Sequence, residues 1–121
     1  MIKTLFVTVL VLFLSLVSFA DDLTLDDVSR LNETKINRII RVQESSHIQE
    51  GLIYASKHGL KVSIAGKRHS QGGHVVYKNG VVLDMTAFDK VLDINPKKQT
   101  ITVQTGISWA QIQETVNPYG L

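Results

Sequence analysis

The chain has 121 residues, with 13 Lys and Arg against 11 Asp and Glu, a formal charge of +2 and a pI near 9.0. A balance this small, with its cations scattered rather than blocked, gives no electrostatic footprint for nucleic acid. The absence of cysteine excludes disulfides, thiolate metal sites, a cysteine nucleophile and a lipoprotein anchor.

Residues 1–20 have the pattern of a secretory signal. Lys3 supplies a positive start, Leu5 to Val17 is almost wholly apolar, and Ser18-Phe19-Ala20 places small residues where a signal peptidase reads them. The apolar run is shorter than the roughly 20 residues a spanning helix needs, so cleavage is expected, with no membrane anchor afterwards. Export to a periplasm or the extracellular space follows. Residues 21–35 are polar, with Leu23, Leu25, Val28 and Leu31 as isolated apolar points, and are expected to form an arm lying on the domain. Asn32-Glu33-Thr34 is a sequon, meaningful only in a eukaryotic secretory pathway.

The remaining body, residues 36–121, alternates strand and helix. Ile36 to Val42 holds a short β-prone run. Ser45 or Ser46 can cap the next helix, and Ser46 with Gln49 fits a capping box. Ile48, Leu52 and Ala55 recur at helical spacing, and Gly59 stands where a C-terminal cap belongs. Val62 to Ala65 is a second strand, reached through that helix, so the two strands are expected to be parallel. Val75 to Tyr77 and Val81 to Leu83, joined by Asn79-Gly80, predict a hairpin with a type I′ turn. Val91 to Asn95 and Thr100 to Thr105 flank a Pro96-Lys97-Lys98 turn and predict a further pair. Ser108, with Gln111 three residues on, starts a last helix that runs to about Val116, ahead of Pro118. Trp109, one residue inside that helix, is expected to pack in the core. The class is α+β with a mixed sheet.

The chemistry concentrates between Val62 and His74. An apolar strand ends in Gly66, followed by Lys67, Arg68, His69, Ser70 and a Gly72-Gly73 pair. A short glycine-rich turn after a strand directs successive N–H groups inward, and such a concavity binds anions. His69 places a titratable, nucleophilic ring beside that anion. Ser70 and the N–H groups of residues 66–70 are the natural phosphate ligands, because neutral donors serve phosphate without an ion pair. Lys67 and Arg68 can add charge, although loop-tip cations ordinarily point to water. No Ser or Thr follows Lys67, so the segment is not a Walker loop, and the chain has no GxGxxG. His69 and His74 lack a third partner at useful spacing, so zinc is not expected.

Gly66-Lys67-Arg68-His69-Ser70 resembles the pyrophosphate loop of FAD-linked oxidases of the vanillyl-alcohol oxidase / p-cresol methylhydroxylase family. Gly80-Val81-Val82-Leu83-Asp84-Met85 is similar to the strand ending in Asp that follows in that family. Thr100 to Gly106 resembles its next strand and glycine, and Ile107-Ser108-Trp109-Ala110 the start of the helix beyond. The order fits from about Val28 to Leu121. The resemblance implies the first subdomain of a PCMH-type FAD-binding domain, with Gly66, Lys67, Arg68, His69, Ser70, Gly72 and Gly106 as candidate cofactor-binding residues. It implies FAD as cofactor and hydride transfer from a small-molecule substrate in the complete protein. It also implies covalent flavin through His69, because members with histidine there often carry it so. Asp84 is expected to be structural. Gln43 stands where relatives commonly have Pro. Family members have several hundred residues, and the second flavin loop and substrate domain have no counterpart here, so a truncated oxidoreductase is expected. The alternative is a secreted binding module or inactive fragment that retains the fold. No catalytic base is identified.

Overall fold

The computed structural model describes residues 23–121; the signal-like segment 1–20 lies outside the described residues. The elements in chain order are β1 (Thr24–Leu25), β2 (Thr34–Lys35), β3 (Arg38–Arg41), α1 (Ser45–Lys57), β4 (Val62–Ala65), β5 (Val81–Asp84), β6 (Val91–Asn95), β7 (Thr100–Val103), α2 (Trp109–Val116) and a 3-10 turn (Asn117–Tyr119).

Strands β3, β5 and β4 form a parallel sheet in that order, with Ile40, Leu83 and Ile64 in one row and Ile39, Val82 and Ser63 in the next. β5 lies between the two strands of the β3–α1–β4 unit. The expected hairpin of residues 75–77 with 81–83 therefore does not form. Val81, Val82 and Leu83 are all buried, and a continuous apolar run buried on both faces suits a central parallel strand better than a hairpin arm. Val75 and Val76 instead pack as a loop against Val82. The Asn79-Gly80 turn is real but is not type I′. Gly80 N–H closes it on the Tyr77 carbonyl at 2.8 Å, and of the two residues only Asn79 has positive φ.

The sheet is covered on both sides. On one side Leu25, Ile36, Ile39, Ala65, Val75, Val76 and Val82 pack together. On the other, Val42, Leu83 and Met85 meet Ile40, Ile48, Val62 and Phe88, with α1 above. α1 comes close because Gly51 faces the sheet: a Cβ there would stand 2.6 Å from Leu83 Cδ2 and 3.0 Å from Ile40 Cδ1. The α1 N-terminus differs from expectation. Glu44 is the N-cap, without a side-chain bond, and neither Ser45 nor Ser46 caps. The Gln43 N–H donates to His47 Nδ1 at 3.2 Å instead. Proline at 43 would lack that donor, which gives the departure from the family pattern a local reason.

The two antiparallel pairs are β1–β2 and β6–β7, so parallel and antiparallel pairing fall in separate sheets of an α+β structure. The β6–β7 turn, the α1 stop at Gly59 and the α2 start are as read from the sequence. Asn95 Oδ1 accepts from Lys98 N at 3.0 Å. Gly59, at φ +63, donates its N–H to the Ser56 carbonyl. Ser108 and Gln111 form a reciprocal capping box. Trp109 is not in the core: it is 85% exposed, because it lies on the first turn of a helix that has no buried residue.

Candidate functional site

The three parallel strands all end at one side, at Arg41, Ala65 and Asp84. The crevice outside the carboxyl ends of parallel strands is where α/β sheets bind ligands. The loop from Gly66 to His74 leaves the sheet there, directly after β4. Beside it a cleft of about 200 Å³ is lined by Leu25, Ile39, Ala65, Gly66, Arg68, Val82 and Asp84.

Residues 66–72 are exposed. Among the described residues, no main-chain N–H from Lys67 to Gly72 finds a protein acceptor. The Ser70 hydroxyl and the His69 ring have no protein partner among them either. A row of donors without protein acceptors at the end of a strand can serve an anion and requires no ion pair. Arg68 is left-handed at φ +59, which turns the chain sharply just before His69. Its guanidinium, though exposed, folds back and donates to the Asp26 carbonyl at 3.3 Å.

Gly106 reaches the same end of the sheet. It is buried, and its N–H donates to the Phe88 carbonyl at 2.7 Å. A Cβ there would fall 1.7 Å from the Met85 carbonyl oxygen and 2.7 Å from that of Phe88. Backbone cannot yield to that extent, so close main-chain packing by itself demands glycine. Asp84 closes a local turn, accepting from Thr86 N at 2.9 Å and Thr86 Oγ1 at 2.7 Å.

Sequence reasoning missed Asp27. The arm segment packs on the glycine loop, and a cleft of about 370 Å³ between them is lined by Asp26, Asp27, Val28, Arg30, Lys67 and Arg68. Asp27 is 5% exposed. Its carboxylate accepts from Ser29 Oγ, Ser29 N, Asn32 Nδ2 and Gly73 N. These bonds, led by that from the Ser29 hydroxyl and the Gly73 amide, hold its pKa down at about 2. The Gly73 partner is 46 residues away in sequence, so no local pattern announces it; the Asp-x-Ser spacing of an Asx turn was the one available signal.

Comparison with known proteins agrees with this geometry. Residues 36–121 match the FAD binding domain family. A mitochondrial L-galactono-1,4-lactone dehydrogenase 2 of Oryza sativa subsp. japonica is 38% identical over 69 residues, covering 55% of this chain and 12% of that protein. An uncharacterized oxidoreductase from the fasciation locus of Rhodococcoides fascians is 34% identical over 65 residues, 54% of this chain and 14% of its own length. The crystal structure of 6-hydroxy-D-nicotine oxidase from Arthrobacter nicotinovorans superposes with a TM-score of 0.62 at 20% identity, over 68% of this chain and 18% of that one. The chain thus spans less than a fifth of the length of these relatives. Through residues 36–121 it belongs to the FAD binding domain family, and it has the fold of the first part of a PCMH-type flavin domain.

Proposed function

We propose that this chain supplies the pyrophosphate-binding half of a flavin site in an exported FAD-dependent oxidoreductase. The observation that carries this is the run of N–H donors from Lys67 to Gly72, without an acceptor among the described residues, at the carboxyl end of the parallel sheet. Those amides, with the Ser70 hydroxyl, would donate to the phosphate oxygens, and the cleft lined by Ile39, Ala65 and Val82 borders them with apolar surface. Bound FAD supplies the acceptor for a hydride removed from a small-molecule substrate. The relatives are named for a lactone and a hydroxynicotine, so substrate choice is assigned to parts of the full-length enzyme outside this segment. The leader-like residues 1–20 support export to the periplasm or beyond.

His69 is proposed as the covalent attachment point. Its exposed ring follows the turn at Arg68 and has no protein partner among the described residues that would tie it down. Neutral imidazole is the reactive form. With FAD bound, a ring nitrogen of His69 would be the nucleophile toward the flavin 8α position, with dioxygen as the co-reactant that would take up the two protons and the electron pair. The test is the visible spectrum of the purified chain loaded with FAD, before and after acid precipitation. Yellow colour retained in the precipitate, and released in His69→Ala, supports the attachment. Colour that washes out of the wild type removes it and leaves non-covalent binding.

A further inference from the structure

We infer that Asp27 is a positioning residue that clamps the arm onto the glycine loop and so fixes the direction in which residues 67–72 present their N–H groups. The consequence for cofactor affinity rests on the FAD reading above; the clamp itself does not.

Besides the bond from the Arg68 guanidinium to the Asp26 carbonyl, the arm grips the main chain of the loop at two points. Asp27 Oδ2 accepts from Gly73 N at 3.0 Å, and Val28 N–H donates to the Arg68 carbonyl at 3.0 Å. The two grips bracket His69, Ser70, Gln71 and Gly72. Within that span no main-chain group makes another main-chain bond among the described residues. The two gripped residues are also left-handed, Arg68 at φ +59 and Gly73 at φ +73, so the chain reverses where it is held. A loop whose donors are reserved for a ligand cannot hold its shape with those same donors. Fixing it from outside is the available route to preorganisation, and preorganisation is what lowers the cost of binding.

The chemistry requires a carboxylate. Its two oxygens face four donors, from Ser29, Asn32 and Gly73, and none of these is charged. An Asn side chain offers one acceptor oxygen and turns an NH₂ toward N–H groups, leaving at least one buried donor unpaired. Asn32 is held within the same cluster, its own N–H reaching Asp26 Oδ1 at 3.0 Å.

The test compares the full chain as wild type, Asp27→Asn and Asp27→Glu, by amide hydrogen exchange and by FAD titration. For Asp27→Asn, exchange at Gly73 and Val28 should quicken about tenfold or more while Val82 and Leu83 in β5 stay protected. FAD affinity should fall about tenfold, with Asp27→Glu between the two. Ser29→Ala removes one of the four donors to the carboxylate, together with the acceptor for Leu31 N and Asn32 Nδ2, and should shift the same readouts in the same direction by about threefold, which keeps the test open if Asp27→Asn does not fold. If Asp27→Asn binds FAD as tightly as wild type, the positioning role is overturned and the cofactor reading stands. Loss of protection in β5 together with Gly73 overturns it too, in favour of a general stabilising role. A wild type that ignores FAD refutes the cofactor reading, visible in that arm alone, and takes the affinity part of the inference with it.

Discussion

Gly51→Ala should destabilise the chain, although alanine is the better helix former. In an open helix the exchange gains about 1 kcal/mol. Here the new methyl group would lie 2.6 Å from Leu83 Cδ2 and 3.0 Å from Ile40 Cδ1. Overpacking of this kind costs roughly 1–3 kcal/mol, so the net loss is about 1 kcal/mol. Leu83 is 2% exposed on the central strand, and Leu83→Ala alone should cost about 3–4 kcal/mol through transfer and cavity terms. In the double variant the methyl at 51 enters space that Leu83 has vacated, so the helix-propensity gain returns. The double-mutant cycle should therefore show a favourable coupling of about 2 kcal/mol. Urea unfolding of the full chain, followed by far-UV circular dichroism at constant m-value, measures each corner. Additivity within about 0.5 kcal/mol would refute the close packing of α1 on β5.

Three further outcomes follow from the same contacts. Asp27 has its pKa depressed to about 2 from an ordinary 3.8, so the stability it contributes is complete above about 3.8 and is lost as pH falls through about 2. The Gly73 and Ser29 amide resonances should hold steady from neutral pH down to about 4 and move below it; a midpoint near 3.8 would show that the carboxylate is not held by these bonds. Ser108→Ala removes the acceptor for Gln111 N and should cost about 1 kcal/mol, seen as faster amide exchange confined to α2. Gly106→Ala forces a Cβ against the Met85 and Phe88 carbonyls; it should yield little soluble chain, and a variant as stable as wild type would contradict the close approach.

Local physics made much of the fold legible. The α2 capping box, the Gly59 stop and the turn after Asn95 depend on residues within four positions of each other, and each formed as read. The hairpin expectation failed because Val81 to Leu83 fits two partners equally by pattern, and only the burial of both its faces decides for the centre of a parallel sheet. Trp109 was misplaced because a single aromatic in a helix's first turn carries no periodicity that says which way it faces. The glycine-rich turn that leaves the sheet after β4 was readable from its composition. Its anchor at Asp27 was not, since the contact spans 46 residues and a polar arm looks the same bound or free.

The claim that the Lys67 to Gly72 amides hold the phosphates of FAD is tested most directly by titrating the ¹⁵N-labelled full chain with FAD and following each amide resonance. Saturable shifts concentrated in residues 66–72, with α2 undisturbed, are the expected result. Shifts absent from the loop, or spread evenly over the surface, would contradict it.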